Sequence, residues 1–96
     1  MTLTVKFIGA LRHASGKTKL TFNCKSETLT VKELILKLLE ETPQLKSSLI
    51  DQQTDGSFKT NALILVNDRE ISVLNGIETK LSEGDEIVFV PVVHGG

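Results

Sequence analysis

The sequence predicts an α+β domain in which one main helix covers one face of a sheet of about five strands. Several short segments alternate apolar and polar residues, or run apolar over strand length, near both ends of the chain and in its second half. Only one segment, residues 30–42, repeats its apolar positions at helical spacing over several turns. A single helix of that length can cover one face of a sheet, which leaves the other face to solvent or to a partner.

The first element spans Thr2 to Ile8, with Leu3, Val5 and Phe7 on one side and Thr2, Thr4 and Lys6 on the other. Ile8 falls on the otherwise polar side. Gly9 through Lys17 holds two glycines and a serine and reads as a connection. Lys19 to Cys24 alternates again, so the two strands should form an antiparallel hairpin with Leu20, Phe22 and Cys24 inward.

The period then changes. Val31, Leu34, Ile35, Leu38 and Leu39 share one helical face, Thr30 and Glu33 form a T-x-x-E capping box at its start, and Pro43 marks its end. Leu45, Leu49 and Ile50 suggest a short second helical piece, and Asp51 to Asn61 reads as a polar, mobile loop. Ala62 to Val66 is a continuous apolar strand, followed by an Asn67-Asp68-Arg69 turn and a short strand from Glu70 to Val73. Leu74 to Leu81 is irregular. Ser82 to Asp85 makes a tight turn into the last strand, Glu86 to Val93.

Composition excludes several classes of function. With 96 residues the chain makes one small domain, and a net charge of −1 provides no strong field for phosphate backbones or anionic lipid. Direct nucleic-acid binding and membrane association are therefore not expected. The single cysteine, Cys24, cannot form an internal disulfide, and with His13 and His94 as the two imidazoles there is no zinc-ligand spacing. Met1 to Lys6 lacks a signal-peptide pattern, and the longest apolar run, Ile87 to Val93, is far short of the ~20 residues of a spanning helix, so the expected location is the cytoplasm.

No nucleophile elbow, P-loop or dinucleotide-binding glycine pattern is present, and no catalytic residue is assigned. Asp85-Glu86 follows a turn glycine and reads as a solvated turn, Cys24 as a small strand hydrophobe, and His13 as a solvated loop residue.

The distinctive feature is the end of the chain. After Glu86 no Asp, Glu, Lys or Arg occurs, and the strand passes through Pro91, Val92, Val93 and His94 into Gly95-Gly96. Without Cβ atoms such a terminus can enter a narrow channel and present its carboxylate in line with an α-phosphate. The domain is accordingly divided into a folded body, 1–90, and an extended tail, 91–96. Six extended residues reach on the order of 20 Å at ~3.3–3.6 Å each. Ile8, with Val88, Val90 and Val92 opposite Ile87 and Phe89, marks an apolar patch on the open face where a partner could hold the body.

The chain resembles the ubiquitin-like β-grasp sulfur carriers over nearly its whole length. Val5-Lys6-Phe7-Ile8-Gly9-Ala10-Leu11-Arg12, Leu65-Val66-Asn67-Asp68, Leu81 to Ile87 and the terminal Gly95-Gly96 are similar, in order, to the small subunit of molybdopterin synthase. His94-Gly95-Gly96 and Ile64 to Leu74 are more similar to the ubiquitin-related modifiers, which serve tRNA thiolation and protein conjugation. The tail has Pro91-Val92 where molybdopterin synthase small subunits commonly carry two prolines, and it has none of the arginines of ubiquitin's own tail.

The resemblance implies a β-grasp fold with a mixed sheet, and a carrier rather than an enzyme. It implies that an activating enzyme using ATP and Mg joins the Gly96 carboxylate to AMP, while this chain binds no cofactor or metal itself. Sulfur from a persulfide or rhodanese-like donor would then leave a thiocarboxylate on Gly96, for use by a tRNA thiolation enzyme or, alternatively, by the large subunit of molybdopterin synthase. Attack by a lysine of a target protein would instead form an isopeptide bond. Gly95, His94 and Val93 would thread the tail into the activating enzyme, and Ile8, Val88, Val90 and Val92 would dock the body. The remaining alternative is a β-grasp interaction module whose glycine pair has no chemical role.

Overall fold

A computed structural model describes residues 1–52 and 58–92. The chain opens with β1 (Thr2–Phe7), a short helix α1 (Ala10–Ser15) and β2 (Lys19–Asn23). A two-residue strand, β3 (Leu29–Thr30), leads into the main helix α2 (Val31–Glu41), a 3-10 turn at Pro43–Leu45 and the short helix α3 (Lys46–Leu49). β4 (Ile50–Gln52), β5 (Phe58–Thr60), β6 (Ala62–Val66) and β7 (Arg69–Glu70) follow. Two 3-10 turns, Ile71–Val73 and Gly76–Glu78, then precede β8 (Lys80–Leu81) and β9 (Glu86–Pro91).

Five strands form one sheet in the order β2-β1-β9-β6-β7. β1 is antiparallel to β2 and parallel to β9, and β9 is antiparallel to β6, so the sheet is mixed. With α2 across one face, this is the β-grasp arrangement that the resemblance implies.

The alternation in β1 places Leu3, Val5 and Phe7 in the core, and Ile87 and Phe89 of the neighbouring β9 do the same. Phe7 and Phe89 are partners in the parallel ladder, and their rings stack with centroids 5.7 Å apart. Val31, Leu34, Ile35 and Leu38 of α2 complete this core with Leu45 and Leu49. The capping box is formed. Thr30 Oγ1 accepts from Glu33 N at 3.2 Å, and Glu33 Oε1 accepts from Thr30 N at 3.0 Å.

Four segments differ from the sequence-based expectation. Residues 10–15 are helical rather than a plain connection, because Leu11 and Ser15 bury one helical face. Gly16, at φ 73°, closes the helix by donating its N–H to the carbonyls of Arg12 and His13. The polar stretch after Ile50 holds a ladder, Ile50 to Gln52 against Phe58 to Thr60, and residues 53–57 lie outside the described residues.

The strand expected from Glu70 to Val73 pairs only at Arg69–Glu70. The Glu70 carboxylate accepts from both the N–H and the hydroxyl of Ser72, curling the chain into a 3-10 turn. Within the irregular 74–81 segment, β8 pairs with β3 in front of α2.

Candidate functional site

Pro91 and Val92 are the last described residues. β9 stays in the ladder through Pro91, opposite Ala62, one residue into the segment assigned to the tail. Val92 is 44% exposed, and its N–H donates to Asn61 O at 3.3 Å. Asn61 is held in turn, since its N–H donates to Leu49 O at 2.8 Å. The tail's root is therefore tied to β6 and, through Asn61, to the end of α3. Val93, His94, Gly95 and Gly96 lie outside the described residues.

Beside this root stands Gly9. Its φ of +58° belongs to a region that L side chains rarely adopt, and a Cβ built there would lie 3.2 Å from Pro91 Cγ. The bend at Gly9 and the close approach of Pro91 are compatible because the residue has no side chain.

The sheet face away from α2 exposes apolar side chains on three strands. Ile8 is 39% exposed and donates its N–H to Phe89 O, which sets it beside β9, and Val88 and Val90 are half-buried on the same side. Register adds two residues that sequence reasoning missed: Leu63 stands opposite Val90 and Leu65 opposite Val88, with Leu63 45% exposed. Lys6, also opposite Val88 on the other flank, pairs with Glu86 at 3.1 Å and gives the patch a polar border. Ile8, Val88, Val90, Leu63 and Leu65 therefore form a continuous apolar surface across three adjacent strands, with Val92 at the tail end.

The other sequence candidates have structural settings. Asp85 accepts from Ser82 N at 2.7 Å and from Asn67 Nδ2 at 2.9 Å, while Asn67 Oδ1 accepts from Glu86 N, so Asp85-Glu86 belongs to a turn clamp. Cys24 is half-buried at the end of the β1–β2 hairpin, where its backbone exchanges hydrogen bonds with Met1. His13 is exposed on α1. Among the described residues no group of three or more His, Cys, Asp or Glu side chains is placed to hold a metal ion, and no helix is long and apolar enough to cross a membrane.

Residues 2–96 match the model of the Urm1 (Ubiquitin related modifier) family. The chain belongs to the ubiquitin-related modifier family. Among curated relatives it is similar to small archaeal modifier protein 3 of Haloferax volcanii, at 30% identity over 96 residues covering all of both chains. It is likewise similar to the sulfur carrier protein CysO of Mycobacterium tuberculosis, at 27% identity over the full length of each. Among solved structures, that of small archaeal modifier protein 1 from Methanosarcina acetivorans superposes with a TM-score of 0.78 and 31% identity, covering 99% of this chain and 96% of that one. The relatives in this family are sulfur carriers and ubiquitin-like modifiers.

Proposed function

We propose that this chain is a sulfur carrier and ubiquitin-like modifier whose reacting group is the Gly96 carboxylate. The observation that carries the reading is the family match extending through residue 96, on a body whose last strand ends at Pro91 and is followed by Val92, exposed and anchored to Asn61. In the first step the carboxylate attacks the α-phosphorus of ATP, with Mg held by the activating enzyme. Pyrophosphate leaves, and a mixed anhydride with AMP remains. A persulfide sulfur then attacks the acyl carbon and displaces AMP. A second thiol of the donor cleaves the resulting S–S bond, leaving the thiocarboxylate on Gly96 and a disulfide on the donor. Attack by a lysine amine on the activated terminus gives the isopeptide product instead.

This chain's residues supply placement. Pro91 and Val92 aim the tail, Gly9 permits the close packing at its root, and the Ile8–Val90–Leu63 surface holds the body against the activating enzyme. The full-length resemblance to modifiers and to a sulfur carrier supports this reading over the molybdopterin synthase small subunit.

The test is intact-mass measurement after incubation with an activating enzyme, ATP and a persulfide donor. Replacement of O by S at the terminus adds about 16 Da. An unchanged mass, with the same enzyme competent on its own carrier, would show that the Gly96 carboxylate is not the reacting group.

A further inference from the structure

A basic cleft opens next to the tail's root, lined by Gly9, Arg12, His13, Gly16, Lys17 and Thr18. α1 builds one wall, and the Gly16 turn leading to β2 builds the other. The charge is one-signed because of the sequence. Residues 1–26 contain Lys6, Arg12, Lys17, Lys19 and Lys25 and no Asp or Glu. Lys6 is neutralised by Glu86, whereas among the described residues no carboxylate pairs with Arg12 or Lys17. Both are exposed, as is His13 between them in sequence. Lys19, opposite Lys6 in the β1–β2 ladder, extends the basic surface along the edge of the sheet.

The cleft and the tail share a residue. Gly9 lines the cleft and is also the residue against which Pro91 packs. A protein that contacts Pro91 and Val92 therefore stands close to the cleft, and charge on that protein is felt there at short range.

We propose that this cleft is the electrostatic half of the docking surface, receiving an acidic segment of the activating enzyme. The inference rests on the carrier reading and adds to it the chemistry of the partner. Carboxylates suit the site because the Arg12 guanidinium can hold one in a bidentate fork while Lys17 and His13 supply further N–H donors. A nucleic acid suits it less well: phosphate-backbone recognition gains affinity from many contacts spread along a strand, and the chain's net charge is −1. The apolar face and the cleft would thus flank the tail with different functions, one supplying buried area and the other register and speed of encounter.

The experiment measures binding of the full-length protein to the activating enzyme that adenylates it, at low and high salt. The comparison uses Arg12→Glu/Lys17→Glu, the neutral Arg12→Gln/Lys17→Gln, and Lys80→Glu on β8 as a control for net charge. Circular dichroism of each variant is expected to match the parent, since the substituted side chains are exposed. The acidic double variant should bind about twentyfold more weakly at low salt, the neutral one less so, and both should show a flatter salt dependence than the parent.

Adenylation at saturating carrier should be retained, which separates lost docking from lost chemistry. Parental affinity in the acidic double variant, or an equal loss in Lys80→Glu, overturns the proposal while leaving the carrier reading intact. So does a variant that keeps its affinity for the enzyme but loses binding to an RNA oligonucleotide, which would make the cleft a nucleic-acid site. If no activating enzyme adenylates the parent chain, the carrier reading fails and this proposal falls with it.

Discussion

Gly9 and Pro91 are packed so closely that the added Cβ of an alanine at position 9 would stand 3.2 Å from Pro91 Cγ. Two costs then coincide: a backbone at φ 58° and ψ −131°, which side-chain-bearing residues rarely adopt, and a steric push on Pro91. Gly9→Ala is expected to destabilise the fold by about 1–3 kcal/mol, lowering Tm by roughly 4–24 °C for a domain of this length. Adenylation should slow by more than the folded fraction explains, because Pro91 is displaced. Thermal unfolding combined with single-turnover adenylation checks this, and a normal rate would show that the tail's exit does not depend on Gly9.

The open sheet face offers a contrast between two kinds of apolar residue. Ile8→Asp and Leu63→Asp place a charge where the side chain is already 39% and 45% exposed. Both variants should keep Tm within a few degrees of the parent and weaken binding to the activating enzyme by about 2 kcal/mol, roughly thirtyfold, as for an interface anchor. Phe89→Ala, in a fully buried stack with Phe7, should instead cost about 3–5 kcal/mol of stability. Titration calorimetry beside thermal melts separates these effects. Unchanged affinity in both aspartate variants would assign docking to another face.

Ile8 shows how far sequence could identify this surface, and Leu63 shows where it stopped. An apolar residue on the polar side of an alternating strand stands out, so Ile8, Val88 and Val90 were legible. Ala62-Leu63-Ile64-Leu65-Val66 is apolar throughout, and a run without alternation does not reveal which side chains face out. Only the register Leu63 opposite Val90 places it on the patch. The capping box at Thr30 and Glu33 was legible because both partners are local.

The helix at residues 10–15 was hidden by its flanking glycines, although Leu11 and Ser15 at spacing four, followed by Gly16, carry a faint helical signal. The β4–β5 ladder had no apolar pattern to announce it. Arg12 and Lys17 were visible as charges, but their shared cleft beside Pro91 depends on that unrecognised helix.

The capping box allows stability and function to be separated. Thr30→Ala removes the acceptor of Glu33 N and should cost about 1 kcal/mol, or roughly 4–8 °C in Tm. Because α2 packs on the sheet face opposite the proposed docking surface, adenylation measured below the transition should be unaffected. A slowed reaction at a temperature where the variant is folded would implicate the helix side in binding.

Asn67 and Asp68 make predictions of opposite sign within one turn. Both have positive φ, 50° and 70°, as a two-residue hairpin turn between β6 and β7 requires. Asp68→Gly removes the backbone strain of an L residue there and is expected to stabilise by about 0.5–1 kcal/mol. Asn67→Gly relieves the same strain but deletes a side chain that donates to Asp85 Oδ1 and accepts from Glu86 N. It should therefore lower stability by about 1 kcal/mol net. Urea unfolding of the two variants tests this directly, and equal stabilisation of both would show that the clamp to β9 contributes nothing.

The tail gives the sharpest separation between body and chemistry. Deleting Gly96, or replacing Gly95 by Val, should leave Tm within about 1–2 °C of the parent, because changes at the extreme end of a chain disturb a folded core little. Both variants should still compete with the parent for the activating enzyme, since the apolar face and the cleft are intact. Neither should be adenylated at the parental rate: the deletion removes the reacting carboxylate, and the valine adds a branched Cβ in a channel that must admit the backbone closely. Pyrophosphate release measured with each variant, alongside its inhibition of the parent's reaction, reads both properties together. A variant that reacts normally would show that the tail's last two residues are not the reacting end. A variant that neither reacts nor competes would show that the enzyme holds the carrier by its tail rather than by the sheet face.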